Sequence, residues 1–167
     1  GLAGFILPEI LGGGHELIGG ISAGHYGLAL LFVLLTAKFV FTVLSYGCGV
    51  PGGIFLPLLV IGALLGGAFA TVSIQLMTVP AQYANNFVIL AMAAFFTAIT
   101  KAPVTGSILI LEMTGSFSHL FSLITISMTA HLVADIAKSP PVYEALLDRS
   151  LAKQQPQSPA ESSVKQT

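Results

Sequence analysis

Residues 47–77 read GCGVPGG followed by IFLPLLVIGALLGGAFATVSIQLM. The first seven carry four glycines and Pro51, a composition that cannot continue a helix. From Ile54 the chain is apolar to Met77, with glycines at 62, 66 and 67. A helix needs about 20 apolar residues to cross a bilayer, and this one follows directly on the break. Its first turn leaves backbone N–H groups without intrahelical partners, at the positive end of the helix dipole. In lipid such donors must be capped or must hold a ligand. No Ser, Thr, Asp or Asn precedes the helix to cap it. Gly52 and Gly53 allow close approach, and Pro57 suits an early helical position. The pattern fits a dehydrated anion held by the amides of Ile54 and Phe55. Glycine-rich turns that enter transmembrane helices also serve packing alone.

Composition places the rest of the chain in the same environment. Of 167 residues, 8% are charged and 54% belong to the apolar set; an average soluble domain carries roughly 25% charge. Mean hydropathy is +0.90. Between Leu17 and Ala137 the only charges are Lys38, Lys101, Glu112 and Asp135. So few polar groups cannot cover a soluble surface, which excludes a soluble enzyme and a disordered chain. A net charge of −1 provides no basic face for nucleic acid. Cys48 is the single cysteine, so no internal disulfide is possible, and in a glycine turn without a basic neighbour it reads as inert. The chain opens on Gly1 within a membrane pattern and without a signal-peptide arrangement, which suggests a fragment or a processed product.

Working outward, Tyr26–Tyr46 and Ile54–Met77 are long enough to span, and Leu120–Ala137 nearly so. Phe87–Ile99 and Pro103–Met113 are each too short. Pro103 favours a helix start, and Ala102 before it is biased out of the helical region. The expectation is two short helices meeting at a turn near Lys101, against one helix kinked at Pro103; short or broken hydrophobic segments mark a transporter core. His15–Ile21 reads as a helical turn or two among loop glycines. Gly62 to Gly66 is a GxxxG match that lets helices approach closely, here within the subunit. After Leu147 the sequence is polar and without apolar period, so 150–167 is expected to be a disordered tail. Lys138, Arg149, Lys153 and Lys165 gather near that end, which argues for a cytoplasmic C-terminus.

Other candidates are weaker. Tyr143, after Ser139-Pro140-Pro141, offers a neutral hydroxyl that can bind an anion without the tight hold of Arg or Lys, or it is an interfacial aromatic. Glu112 lies in a short apolar segment, where an intramembrane acid is a functional candidate; it reads instead as a structural acid satisfied by helix N-termini or a polar loop. Lys38 and Asp135 could form a buried pair or snorkel to an interface; Lys101 belongs at an interfacial turn. His15, His25, His119 and His131 show no metal spacing. No GxSG elbow, HExxH or paired acids on one helix point to an intramembrane enzyme.

The motif GGIFLP at 52–57 resembles the GxFxP signature of the CLC family of chloride channels and chloride/proton exchangers. KAPVTGSILILEMTG at 101–115 resembles that family's short helix before its interface helix. KSPPVYEALLDR at 138–149 resembles the segment carrying its inner-gate tyrosine, and GGGHELI at 12–18 is familiar from bacterial members. The resemblance implies an all-α membrane protein, with residues 1–149 the C-terminal half of an inverted-repeat transmembrane domain built of short, re-entrant and tilted helices. By motif match, Ile54, Phe55 and Tyr143 would be this half's chloride ligands, with Gly53 and Pro57 framing the helix terminus. The N-terminal half would bring a serine in a GSGIP-like motif and a glutamate in a GKxGP-like motif, neither present here. The resemblance further implies chloride/proton antiport, or channel conduction in the same family, by a homodimer in the bilayer. It implies Leu120 on the dimer surface, no cofactor beyond the transported chloride, and a bacterial inner membrane. A membrane scaffold without transport is the competing reading.

Overall fold

The computed structural model describes residues 15–24, 26–47, 53, 55–77, 79–115, 117–139 and 141–142. Six α-helices are described: α1 (His15–Ser22), α2 (Leu28–Gly47), α3 (Phe55–Met77), α4 (Ala84–Thr100), α5 (Pro103–Thr114) and α6 (Leu120–Ile136). Short 3-10 turns, Ala81–Tyr83 and Phe117–His119, lead into α4 and α6. Helix α2 ends at Gly47 and α3 begins at Phe55; of the glycine stretch between them, residues 48–52 lie outside the described residues. The expected tail at 150–167 and the opening residues 1–14 lie outside the described residues.

Helix α3 is the centre. It is long and apolar enough to span, and 61% of it is buried, against 22% for the α2 span and 17% for the stretch ending in α6. In lipid, apolar side chains gain little from leaving the solvent, so helices associate by close packing of small residues. The α3–α4 contact shows how. Gly62 faces the backbone of Met92: a Cβ there would lie 2.8 Å from Met92 Cα. One turn on, a Cβ at Gly66 would lie 2.7 Å from Val88 Cα and 2.8 Å from the Phe87 carbonyl oxygen. Phe55 meets Phe96 edge-on at 5.3 Å, and Phe69 meets Phe87 at 5.4 Å. Ascending positions on α3 thus face descending positions on α4: the two helices run antiparallel, and the GxxxG pair works inside the subunit as expected. Gly67, on another face, meets Ile21 of α1.

The break between α4 and α5 also holds, and its chemistry is visible. Lys101 turns left-handed (φ 54°), and its N–H donates to the Thr97 carbonyl at 2.8 Å. Ala102 is extended enough (φ −118°, ψ 78°) to precede proline, and Pro103 opens α5. Helix α5 is short, as expected, and closes on left-handed Gly115 (φ 62°). The expectation of a short helix before the break is corrected. Helix α4 begins at Ala84, and with the preceding turn Ala81–Thr100 is 20 residues, enough to cross a bilayer. Gln82, Asn85 and Asn86 interrupt the apolar run without interrupting the helix, because side-chain polarity near a helix start does not break backbone hydrogen bonding.

Two charge assignments change. Asp135 does not pair with Lys38: its Oδ1 accepts from Lys101 Nζ at 2.8 Å, with the aspartate side chain 63% exposed. Lys38 is instead 2% exposed, on the α2 face it shares with buried Leu31 and Leu34. Glu112 is exposed, because α5 buries the stripe Gly106, Ser107, Ile110 and Leu111 and residue 112 falls off it.

Candidate functional site: the N-terminus of α3

The motif residues converge where α3 begins. Gly53 is exposed, and a side chain there would meet nothing within 4 Å. Phe55 is the first residue of α3 and Pro57 the third, so proline sits where its missing N–H costs no intrahelical bond. Phe55 is held in place by its edge-on contact with Phe96, which is 4% exposed. Ile54 lies outside the described residues, as do Gly52, His25, Cys48 and Tyr143.

Phe96 and its neighbour Thr97 are parts that sequence reasoning missed. A Cβ at Gly106, in the first turn of α5, would lie 3.1 Å from Phe96 Cδ1 and 2.7 Å from Thr97 Oγ1. Phe96 therefore touches the first turns of both α3 and α5. Helix α5 starts without a side-chain cap, on Ala102. Phe96 thus lies against the N-terminal turns of two helices, each the positive end of a dipole. The Thr97 hydroxyl is fully buried, and its oxygen has no hydrogen-bond partner. The cue that could have found this was the small residue in KAPVTG: only glycine at 106 lets α5 approach α4 so closely.

The C-terminal ends of α4 and α6 lie at this same end of the bundle. Lys101, capping α4, reaches Asp135 in the last turn of α6. The chain leaves α6 through Ser139 and Pro141 to Val142, immediately before Tyr143. Thus Phe55 and the chain up to Val142 lie at one end of the described helices, and Tyr143 lies outside the described residues. At the opposite end, His119 sits in the turn before α6, while His131 lies within α6. No group of three potential metal-ligating His, Cys, Asp or Glu residues occurs among the described residues.

Leu120 opens α6 and is 36% exposed. Ile124 and Met128 follow it at four-residue spacing, and Ile108 of α5 is exposed as well. Leu120, Ile124 and Met128 share one face of α6 and are exposed among the described residues.

Comparison with protein families covers the GGIFLP and KAPVTGSILILEMTG motifs and stops before the segment that carries Tyr143. A family model described as voltage gated chloride channel matches residues 1–135, which includes α3, the α4–α5 turn, and all of α6 except its last residue. Four stretches of the described chain are long and apolar enough to cross a membrane. The chain belongs to the voltage gated chloride channel family, integral membrane proteins that carry chloride across the bilayer rather than enzymes.

Proposed function

We propose that this chain is the C-terminal half of a chloride/proton antiporter, and that chloride binds in front of α3, on the amides of Ile54 and Phe55 and the hydroxyl of Tyr143. The observation that carries this reading is that the first turns of α3 and α5 both pack on Phe96, α5 without a side-chain cap and α3 after Gly53 and Ile54, residue types that have no capping side chain. They give a positive potential with no ammonium or guanidinium in the motif. Amides and a hydroxyl hold chloride weakly enough to release it, as conduction requires. The N-terminal half of the same subunit supplies the serine and the glutamates that complete the site and pass protons. The assembly is a homodimer in a bacterial inner membrane, with its C-terminus in the cytoplasm and no cofactor.

Tyr143 closes the inner end of the pathway in this account. Tyr143→Ala removes a donor and widens that end. In the complete transporter, reconstituted in liposomes, chloride flux should persist while protons moved per chloride fall. Unchanged flux with unchanged stoichiometry would make this tyrosine an interfacial anchor. A chloride current with no proton movement in the unaltered protein would make the family member a channel.

The exposed apolar face of α6 supports the dimer. Leu120→Trp places a larger ring on it, and overpacking a fitted contact typically costs about 1–3 kcal/mol. The expected result is a shift from dimer to monomer in detergent, read by light scattering during size-exclusion chromatography. A dimer of unchanged size and stability would take Leu120 off the interface.

A further inference from the structure

The room around Phe96 is set by a side chain that is missing. A Cβ at Gly106, in the first turn of α5, would lie 3.1 Å from Phe96 Cδ1 and 2.7 Å from Thr97 Oγ1. The same Phe96 ring meets the Phe55 ring edge-on, with centroids 5.3 Å apart and planes at 83°. Ring pairs of this kind lie roughly 4.5–7 Å apart, so this contact is close. Phe96 is buried, and packed interiors pass on small displacements instead of absorbing them. The helix that carries the ring is held on both sides of it. One turn earlier on α4, a Cβ on Gly62 of α3 would come within 2.8 Å of Met92 Cα, so the α4 backbone is seated directly on α3. One turn later, the Thr100 hydroxyl donates to the Phe96 carbonyl at 2.9 Å. A push from the first turn of α5 is therefore taken up by the Phe96 side chain, which touches Phe55, the first residue of α3.

Thr97 allows this effect to be separated from packing. Its hydroxyl is buried and has no hydrogen-bond partner, so its removal breaks no hydrogen bond. It adjoins the same Gly106 position as Phe96, but it carries no ring to pass a push onward. A larger residue at 106 thus presses on two neighbours, and each can be relieved alone.

We infer that Gly106 and Phe96 are positioning residues for chloride: through the Phe96 ring, the first turn of α5 sets where the first turn of α3 stands. This rests on the reading that chloride binds in front of α3. The test is calorimetric chloride titration and thermal unfolding of the complete transporter, with dimer size checked first. Gly106→Ala should weaken chloride binding severalfold and lower the melting temperature. Adding Thr97→Ala should recover most of the melting temperature and leave binding weak. Adding Phe96→Leu instead removes the ring that reaches Phe55, and should recover binding while the melting temperature stays low. A merely structural glycine would show binding and stability recovering together, and recovery of both on adding Thr97→Ala overturns the inference. Unaltered affinity in Gly106→Ala, or in the better folded pair with Thr97→Ala, overturns it equally. Phe55→Pro is titrated beside these variants. If it binds chloride as tightly as the unaltered protein, the α3 terminus is not the site and the inference falls with it. If Phe55→Pro binds weakly while the Gly106→Ala and Thr97→Ala pair binds normally, the site stands and the positioning role alone is lost.

Discussion

Phe55→Pro is expected to weaken chloride binding roughly tenfold or more, while Phe55→Leu retains most of it. Proline deletes the N–H that, in the proposed site, the first residue of α3 presents to the anion. A hydrogen bond to a charged partner contributes about 1.5–3 kcal/mol, so its removal should weaken binding by roughly tenfold or more. The leucine variant is needed because the Phe55 side chain also meets Phe96 edge-on. Losing that ring contact costs stability without touching the donor. Ile54→Val keeps every amide and should bind as the unaltered protein does. Calorimetric chloride titration of the complete transporter separates these variants, once circular dichroism and dimer size show that each is folded. Equal affinity in folded Phe55→Pro and Phe55→Leu proteins would remove the α3 amide from the site.

The second large effect is on assembly of the half itself. Gly66→Ala and Gly19→Ala make the same chemical change within helices, and their outcomes should have opposite sign. At Gly66 the new Cβ would lie 2.7 Å from Val88 Cα, where only movement of a whole helix makes room. Overpacking against backbone should cost at least about 1–3 kcal/mol. Gly19 lies in α1, with nothing within 4 Å of its would-be Cβ. There alanine should stabilise by about 0.5–1 kcal/mol, because glycine loses more conformational freedom on folding. Thermal unfolding in detergent reads both, with Gly66→Ala lower and Gly19→Ala equal or higher than the unaltered protein. A Gly66→Ala protein as stable as Gly19→Ala would contradict the antiparallel contact of α3 with α4.

These contrasts also show which features the sequence encodes locally. Pro103 starts a helix through its own backbone chemistry, so the break before α5 can be read from residue type alone. Hydropathy is less reliable at the start of α4. Asn85 and Asn86 end the apolar run but not the helix, since polarity reports surroundings and the helix depends on backbone bonding. Charges are the least legible. Lys38 and Asp135 are both single charges in apolar helices, and only the spatial meeting of the α4 and α6 ends brings Lys101, not Lys38, to Asp135. Glu112 reads as buried among its apolar neighbours in sequence, but the narrow buried stripe of α5 passes it by. At the site, Phe55 and Pro57 stand out in the motif, whereas Phe96 and Thr97 carry no motif of their own. Their role is set by antiparallel register and by the close approach at Gly106, which a linear pattern does not display.

Everything functional in this account depends on an anion lying in front of α3. The most direct measurement is anomalous diffraction from crystals of the complete transporter grown in bromide, an anion that substitutes for chloride and can be located by its scattering. The account predicts a peak within hydrogen-bond distance of the Ile54 and Phe55 amide nitrogens and the Tyr143 hydroxyl. In Phe55→Pro crystals that peak should weaken. Bromide bound elsewhere in the subunit, with none at these three groups, would contradict it.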